Sequence, residues 1–160
     1  NKNNYCISLN VNKFIDTKFI DYYASCHLNR IIMESESFKG VSKNIFIPKI
    51  TLNKDIKKIF KNKSIIDYGL NIKKNTFLIK NKFCILPSPL AIGYALSIAT
   101  AGKAKRIILV GFDGYTNDKV KQLEMQNLFK LFRSANKTSK LLSITPTTYK
   151  VKTIPILSFK

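Results

Sequence analysis

A chain of 160 residues with 45% apolar side chains is long enough to bury one self-sufficient core, and its six Gly and five Pro exclude a fibrous or low-complexity chain. Lys or Asp interrupts every apolar run well short of a membrane span, and the opening Asn1-Lys-Asn-Asn lacks the apolar stretch of a signal peptide, so a soluble, cytoplasmic domain is expected. The formal charge of +19 is carried by twenty-five Lys and only three Arg scattered along the chain; base-edge and phosphate recognition favours clustered Arg forks, so this charge reads as solubility and weak, salt-sensitive attraction to polyanions, not as specific nucleic-acid binding.

The run Tyr5 to Leu9 is short, β-prone and closed by Asn10, which reads as a buried strand ending in a polar turn. A second strand is expected over Phe19 to Cys26, followed by a helix from Leu28 to Phe38 that Gly40 stops. Asn44 to Pro48 is the third strand. Lys54 to Lys61 carries Ile56, Ile59 and Phe60 at helical spacing, with Lys on the opposite face. From Ser64 to Leu86 the pattern is strand-like with polar breaks at 71–75 and 80–82, which fits a hairpin or an excursion from the sheet. Pro89 to Ala101 is rich in Ala, Leu and Ile and closed by Gly102, the pattern of a helix. Arg106 to Val110 then reads as a buried strand, Asp118 to Ala135 as a helix with Asp118 as N-cap, and Leu141 to Thr145 and Thr153 to Phe159 as the last strands. Strands alternating with helices imply βαβ crossovers, so the fold class is α/β: one Rossmann-like, three-layer domain over residues 1–160 with a mainly parallel sheet. The start at Asn1, almost directly before a strand, suggests a fragment of a longer chain.

Cys6, Cys26 and Cys84 are odd in number and lack C-x-x-C spacing, so they read as buried free thiols of a reducing compartment, with neither a zinc site nor a disulfide framework. No metal site and no resident cofactor are predicted. Ligands of open parallel sheets bind beyond the carboxyl ends of the strands. Here those ends carry Asn10, His27, Ser88, the Gly111 to Tyr115 loop and Thr145, a rim suited to hydrogen-bonding a sugar or nucleotide. Asp113, flanked by Gly111 and Gly114, could accept from sugar hydroxyls, or could simply build an Asp-Gly turn with Tyr115 capping the core. Ser88 could present its hydroxyl to a phosphate at the start of a helix, or serve as that helix's N-cap. His27 is the only histidine, so a Ser-His-Asp triad or multi-histidine metal site cannot be assembled; it is the candidate acid or base, with a structural role as the alternative. Neither G-x-G-x-x-G nor a P-loop occurs. On topology, Asn10, Ser88, Asp113 and Tyr115 should converge on one cleft.

The stretch Ser88 to Tyr115, with Asp118, Glu124-Met125 and Ile144-Thr-Pro-Thr-Thr-Tyr149, resembles a domain at the carboxyl end of bacterial 4-hydroxy-2-oxovalerate aldolase-like proteins encoded with surface-polysaccharide genes. More distantly, the layout is similar to bacterial lipooligosaccharide sialyltransferases, Rossmann-like enzymes that use a CMP-activated sugar. That resemblance implies nucleotide-sugar contacts at Asn10 and Ser88 and a phosphate contact at Tyr115. The glycine-rich loop of that family would precede residue 1, and its catalytic His beyond Tyr115 has no counterpart, so sialyl transfer by this chain alone is not expected. Aldolase chemistry is not expected either, since it needs a metal held by His and carboxylates in a barrel. The resemblance implies a nucleotide- or sugar-nucleotide-binding domain beside an upstream aldolase-like domain in a polysaccharide pathway, with enzymatic activity open. The alternative is a non-catalytic scaffold or interaction domain.

Overall fold

The computed structural model describes residues 4–11 and 14–158. Three strands, β1 (Ile7–Leu9), β2 (Tyr22–Ala24) and β3 (Asn44–Phe46), run parallel and in order with a fourth, β4 (Ile65–Ile66). Alternation along these short strands divides their side chains between two cores. Tyr23 and Ile45 face a cluster that holds Ile31, Phe38, Ile56 and Phe60 from three short helices, α1 (Leu28–Met33), α2 (Ser35–Lys39) and α3 (Lys54–Ile59). Ile7, Leu9, Ala24 and Phe46 face the opposite way, onto the larger cluster under α4 (Ala91–Ala101) and α5 (Lys119–Ala135). Helices therefore cover both faces of this sheet, the three-layer α/β arrangement of Rossmann-like folds.

A second parallel sheet consists of β8 (Arg106–Leu109), β9 (Lys140–Ser143) and β10 (Lys152–Thr153), in the order β10-β9-β8. Ile107, Leu109 and Leu141 pack on the same α4 and α5 core. The region from Ser64 to Leu86 contributes β4 to the main sheet, then leaves it and forms a hairpin. β6 (Leu78–Ile79) pairs antiparallel with β7 (Phe83–Leu86), β7 pairs parallel with β5 (Gly69–Ile72), and the three form a separate small sheet.

α4 is apolar nearly all round, as a helix between layers must be; Tyr94, Leu96 and Ser97 are buried. The Tyr94 hydroxyl donates to the Tyr68 carbonyl, and the Ser97 hydroxyl to the Gly93 carbonyl at 2.8 Å, so neither polar group is buried without a partner. At Gly93 a Cβ would lie 3.0 Å from Leu128 Cδ1, so the bare backbone lets α4 and α5 approach closely. α5 is amphipathic, burying Met125, Leu128, Phe129 and Phe132, and Asp118 caps it by accepting from the Lys121 N–H at 3.0 Å.

Several sequence expectations need correction. Phe19 closes a 3-10 turn over Thr17–Phe19, so the second strand starts at Tyr22. The helix expected over Leu28 to Phe38 breaks at Glu34, which leaves helical geometry at φ −97°, ψ 13°. The helix after Pro89 starts at Ala91 with Leu90 at its cap and no side-chain cap bond, so Ser88 is not its N-cap. The strand beginning at Arg106 is buried on one face only: Ile108 is 38% and Val110 60% exposed. The final segment is reduced to β10 and a 3-10 turn over Ile156–Ser158, and Phe159 lies outside the described residues. Cys26 and Cys84 are buried free thiols, whereas Cys6 is exposed. Among the described residues no helix is long and apolar enough to cross a membrane.

Candidate functional site

The sequence-predicted residues fall into two groups, each at the carboxyl ends of parallel strands. In the first, the registers Leu9↔Ala24 and Ala24↔Phe46 place Asn10, Ser25 and Ile47 side by side just past their strands. The Asn10 N–H donates to the Ala24 carbonyl at 3.0 Å, and its side-chain Oδ1 accepts from the Ser25 hydroxyl at 2.9 Å. The Ser8 hydroxyl donates to the Asn10 carbonyl at 3.2 Å. Asn10 is buried and sits at φ +56°, the left-handed region that Asn tolerates better than most residues because its short amide bonds locally.

The next residue on this rim, Cys26, donates from Sγ to the Pro89 carbonyl at 3.4 Å. This contact ties the end of β2 to the Ser88-Pro89 entry into α4. Ser88 Oγ is buried and has no hydrogen-bond partner among the described residues. A buried hydroxyl without a partner costs about 1–3 kcal/mol, so it is a feature that needs a reason. It lies within one turn of the amino end of an eleven-residue helix, where backbone N–H groups and the helix dipole favour an anion. His27 precedes α1, is exposed, and makes no side-chain cap bond.

The second group is a mesh of loops beyond β8 and β9. The Gly111 N–H donates to Thr145 Oγ1 at 3.0 Å, and the Thr148 N–H donates to the Asp113 carbonyl at 2.9 Å. Gln122 on α5 joins the two loops: its Oε1 accepts from the Tyr115 N–H at 2.9 Å and its Nε2 donates to Thr148 Oγ1 at 2.8 Å. Gly111 and Gly114 adopt φ +74° and +117°. At Gly114 a Cβ would collide with Thr148 Oγ1, so the Gly is required for the loops to meet. The Asp113 carbonyl serves the link to Thr148 and closes no local turn, its side chain is exposed, and among the described residues its carboxylate makes no ion pair. Tyr115 is 46% exposed and so does not cap the core; the Lys121 ammonium lies 5.8 Å from its ring centroid. Asp118, bonded by the Lys121 backbone and side chain, is held below the usual carboxylate range.

Among the described residues no hydrogen bond joins the two groups, and neither lines either of two surface depressions. One depression, of about 410 Å³, lies between Lys80, Lys103 and Asn136, and the other, of about 500 Å³, runs along Leu123, Asn127 and Arg133. No cluster of three or more His, Cys, Asp or Glu side chains that could hold a metal occurs among the described residues. Ser25 and Gln122 are the members that sequence reasoning missed. Ser25 immediately follows a strand beside Asn10, a signal that was available once the register was known; Gln122 lies within a helix and gave none.

No family model, curated protein or solved structure matches the chain.

Proposed function

We propose that this chain is a nucleotide- or sugar-nucleotide-binding domain, with ligand contacts at the carboxyl ends of its parallel strands. The observation that carries the reading is Ser88: a buried, unpartnered hydroxyl at the amino end of α4, beside the Asn10-Ser25-Cys26 rim. A phosphate or ribose oxygen accepting from this hydroxyl offsets the burial cost and meets the positive end of the helix. The Gly111 to Tyr115 loop supports the same reading, because it presents the Asp113 carboxylate and the Tyr115 phenol on a backbone cross-linked by Thr145, Thr148 and Gln122. The excess of positive charge raises the local concentration of any phosphorylated ligand. The surroundings of the polysaccharide-linked aldolase-like and sialyltransferase resemblances agree with a CMP- or UDP-linked sugar as ligand.

Calorimetric titration with CMP, UDP and their sugar conjugates tests this reading. Saturable binding weakened by Ser88→Ala and Asp113→Asn is the expected result, and absence of heat with every nucleotide overturns it. A second reading, a non-catalytic interaction domain beside a catalytic one, is favoured by the exposed Ile108 and Val110 on the uncovered face of β8. It predicts that Ile108→Lys alters assembly with a partner domain while leaving nucleotide binding unchanged.

A further inference from the structure

Among the described residues, β1 pairs only with β2 and β8 only with β9. The registers identify which backbone groups stay open. In β1 the Cys6 carbonyl accepts from the Tyr22 N–H and the Asn10 N–H donates to the Ala24 carbonyl. Peptide groups alternate in direction along a strand, so Cys6, Ser8 and Asn10 turn toward β2 while Ile7 and Leu9 turn away. In β8 the Lys105 and Leu109 carbonyls accept from the Lys140 and Ile144 N–H groups, so Arg106, Ile108 and Val110 turn away from β9.

These two open edges border one core. Ile7 and Leu9 of β1 pack on the same core as Ile107 and Leu109 of β8, beneath α4 and α5. Both sheets are wholly parallel. Two open edges of parallel sheets over a single core are unusual, because all-parallel sheets survive by being paired and covered. We propose that the gap between β1 and β8 receives one further parallel β-strand, apolar on both faces, from a part of the same polypeptide outside Asn1–Lys160. Its backbone would pair with Ile7 and Leu9 on one side and with Arg106, Ile108 and Val110 on the other.

A second copy of the chain fits this gap poorly. A two-fold dimer pairs one edge with its own equivalent and leaves the other edge open. Two chains of charge +19 also repel one another, whereas an uncharged strand in cis meets no such penalty. The inference does not depend on any ligand, so it stands or falls separately from nucleotide binding.

Amide hydrogen exchange, read residue by residue by NMR, tests it on the 160-residue chain and on the complete polypeptide of its reading frame. In the 160-residue chain the Ile7, Leu9, Ile108 and Val110 amides should exchange on the order of 100-fold faster than those of Ser8 and Ile107. In the complete polypeptide all six should be comparably protected, and light scattering should report a monomer in both samples. Equal protection of the four amides in the monomeric 160-residue chain overturns the proposal, as does their continued rapid exchange in the complete polypeptide. A reading frame that encodes no further strand overturns it too, and protection that appears only in a dimer reassigns the gap to a second copy.

Discussion

Asn10 and Ser25 lock the ends of two neighbouring parallel strands together: the Ser25 hydroxyl donates to Asn10 Oδ1 at 2.9 Å, with both residues buried. The bond holds an asparagine whose backbone is already in the left-handed region at φ +56°. Ser25→Ala leaves the amide oxygen buried without its donor, and the expected loss is about 1–3 kcal/mol of stability. Urea denaturation should show a lower midpoint with an unchanged slope. A change below about 0.5 kcal/mol, the scale of an ordinary surface substitution, would show that the bond contributes nothing to the rim.

The two glycines of the second group make opposite demands on space. Gly111 has no heavy atom within 4 Å of an added Cβ, so Gly111→Ala meets only the left-handed backbone penalty, about 1–2 kcal/mol. Gly114→Ala meets that class of penalty and also drives a methyl into Thr148 Oγ1, with Gln122 Oε1 only 3.2 Å away. It should be the more destabilising of the pair by at least about 1 kcal/mol, and should broaden or shift the NMR signals of Tyr115, Gln122 and Thr148. Thermal melts in the reverse order would show that the loops do not meet at Gly114.

What could be read from the sequence follows from where the information sits. α4 and α5 were legible because eleven and seventeen residues of continuous pattern, closed by Gly102 and opened by Asp118, specify a helix locally. The break at Glu34 was not, because Leu28 to Phe38 keeps a helical apolar period through a kink made by the backbone. Arg106 to Val110 reads as buried because a run of Ile, Ile, Leu and Val does not say how many of its faces are covered; only one is. The positions of Asn10, Ser88, Asp113, Tyr115 and Thr145 past strand ends follow from topology, which periodicity conveys. The partners of Asn10 and Tyr115, Ser25 and Gln122, depend on register and on the packing of α5, which periodicity does not convey.

The three thiols should separate cleanly by reactivity. Burial pushes Cys26 up to about 12 and Cys84 up to about 11, whereas Cys6 is exposed. Iodoacetamide at pH 8 should alkylate one thiol in the folded chain and three after unfolding, since only the thiolate reacts. The same shifts make stability depend on pH. A thiol with a raised folded value holds its proton in the folded state after the unfolded chain has released it, so the unfolded state binds fewer protons as pH rises past 9.0. Stability should therefore be unaffected by these groups below pH 9 and fall above it, at up to about 1.4 kcal/mol per pH unit for each thiol. The fall should continue to about pH 11 for Cys84 and about pH 12 for Cys26. A Cys26→Ala and Cys84→Ala double variant should flatten the part of the curve due to thiols; an unchanged slope would assign the alkaline loss to the buried tyrosines instead.

Ser88 offers the sharpest separation of structure from function. Its hydroxyl is buried, has no partner among the described residues and does not cap α4, so in the free protein it is a net cost. Ser88→Ala removes that cost and leaves the methylene packing in place, and the variant should be as stable as the parent or more so, by up to about 1–3 kcal/mol. If the hydroxyl serves a phosphate or ribose oxygen, the same substitution should weaken nucleotide binding by on the order of tenfold, the equivalent of one hydrogen bond to a charged group. Stability and affinity therefore move in opposite directions, which a purely structural role cannot produce. Denaturation and calorimetric titration of the same two proteins decide it. Loss of stability on Ser88→Ala would mean that the hydroxyl has an internal partner, and stability gained with affinity unchanged would remove Ser88 from the site.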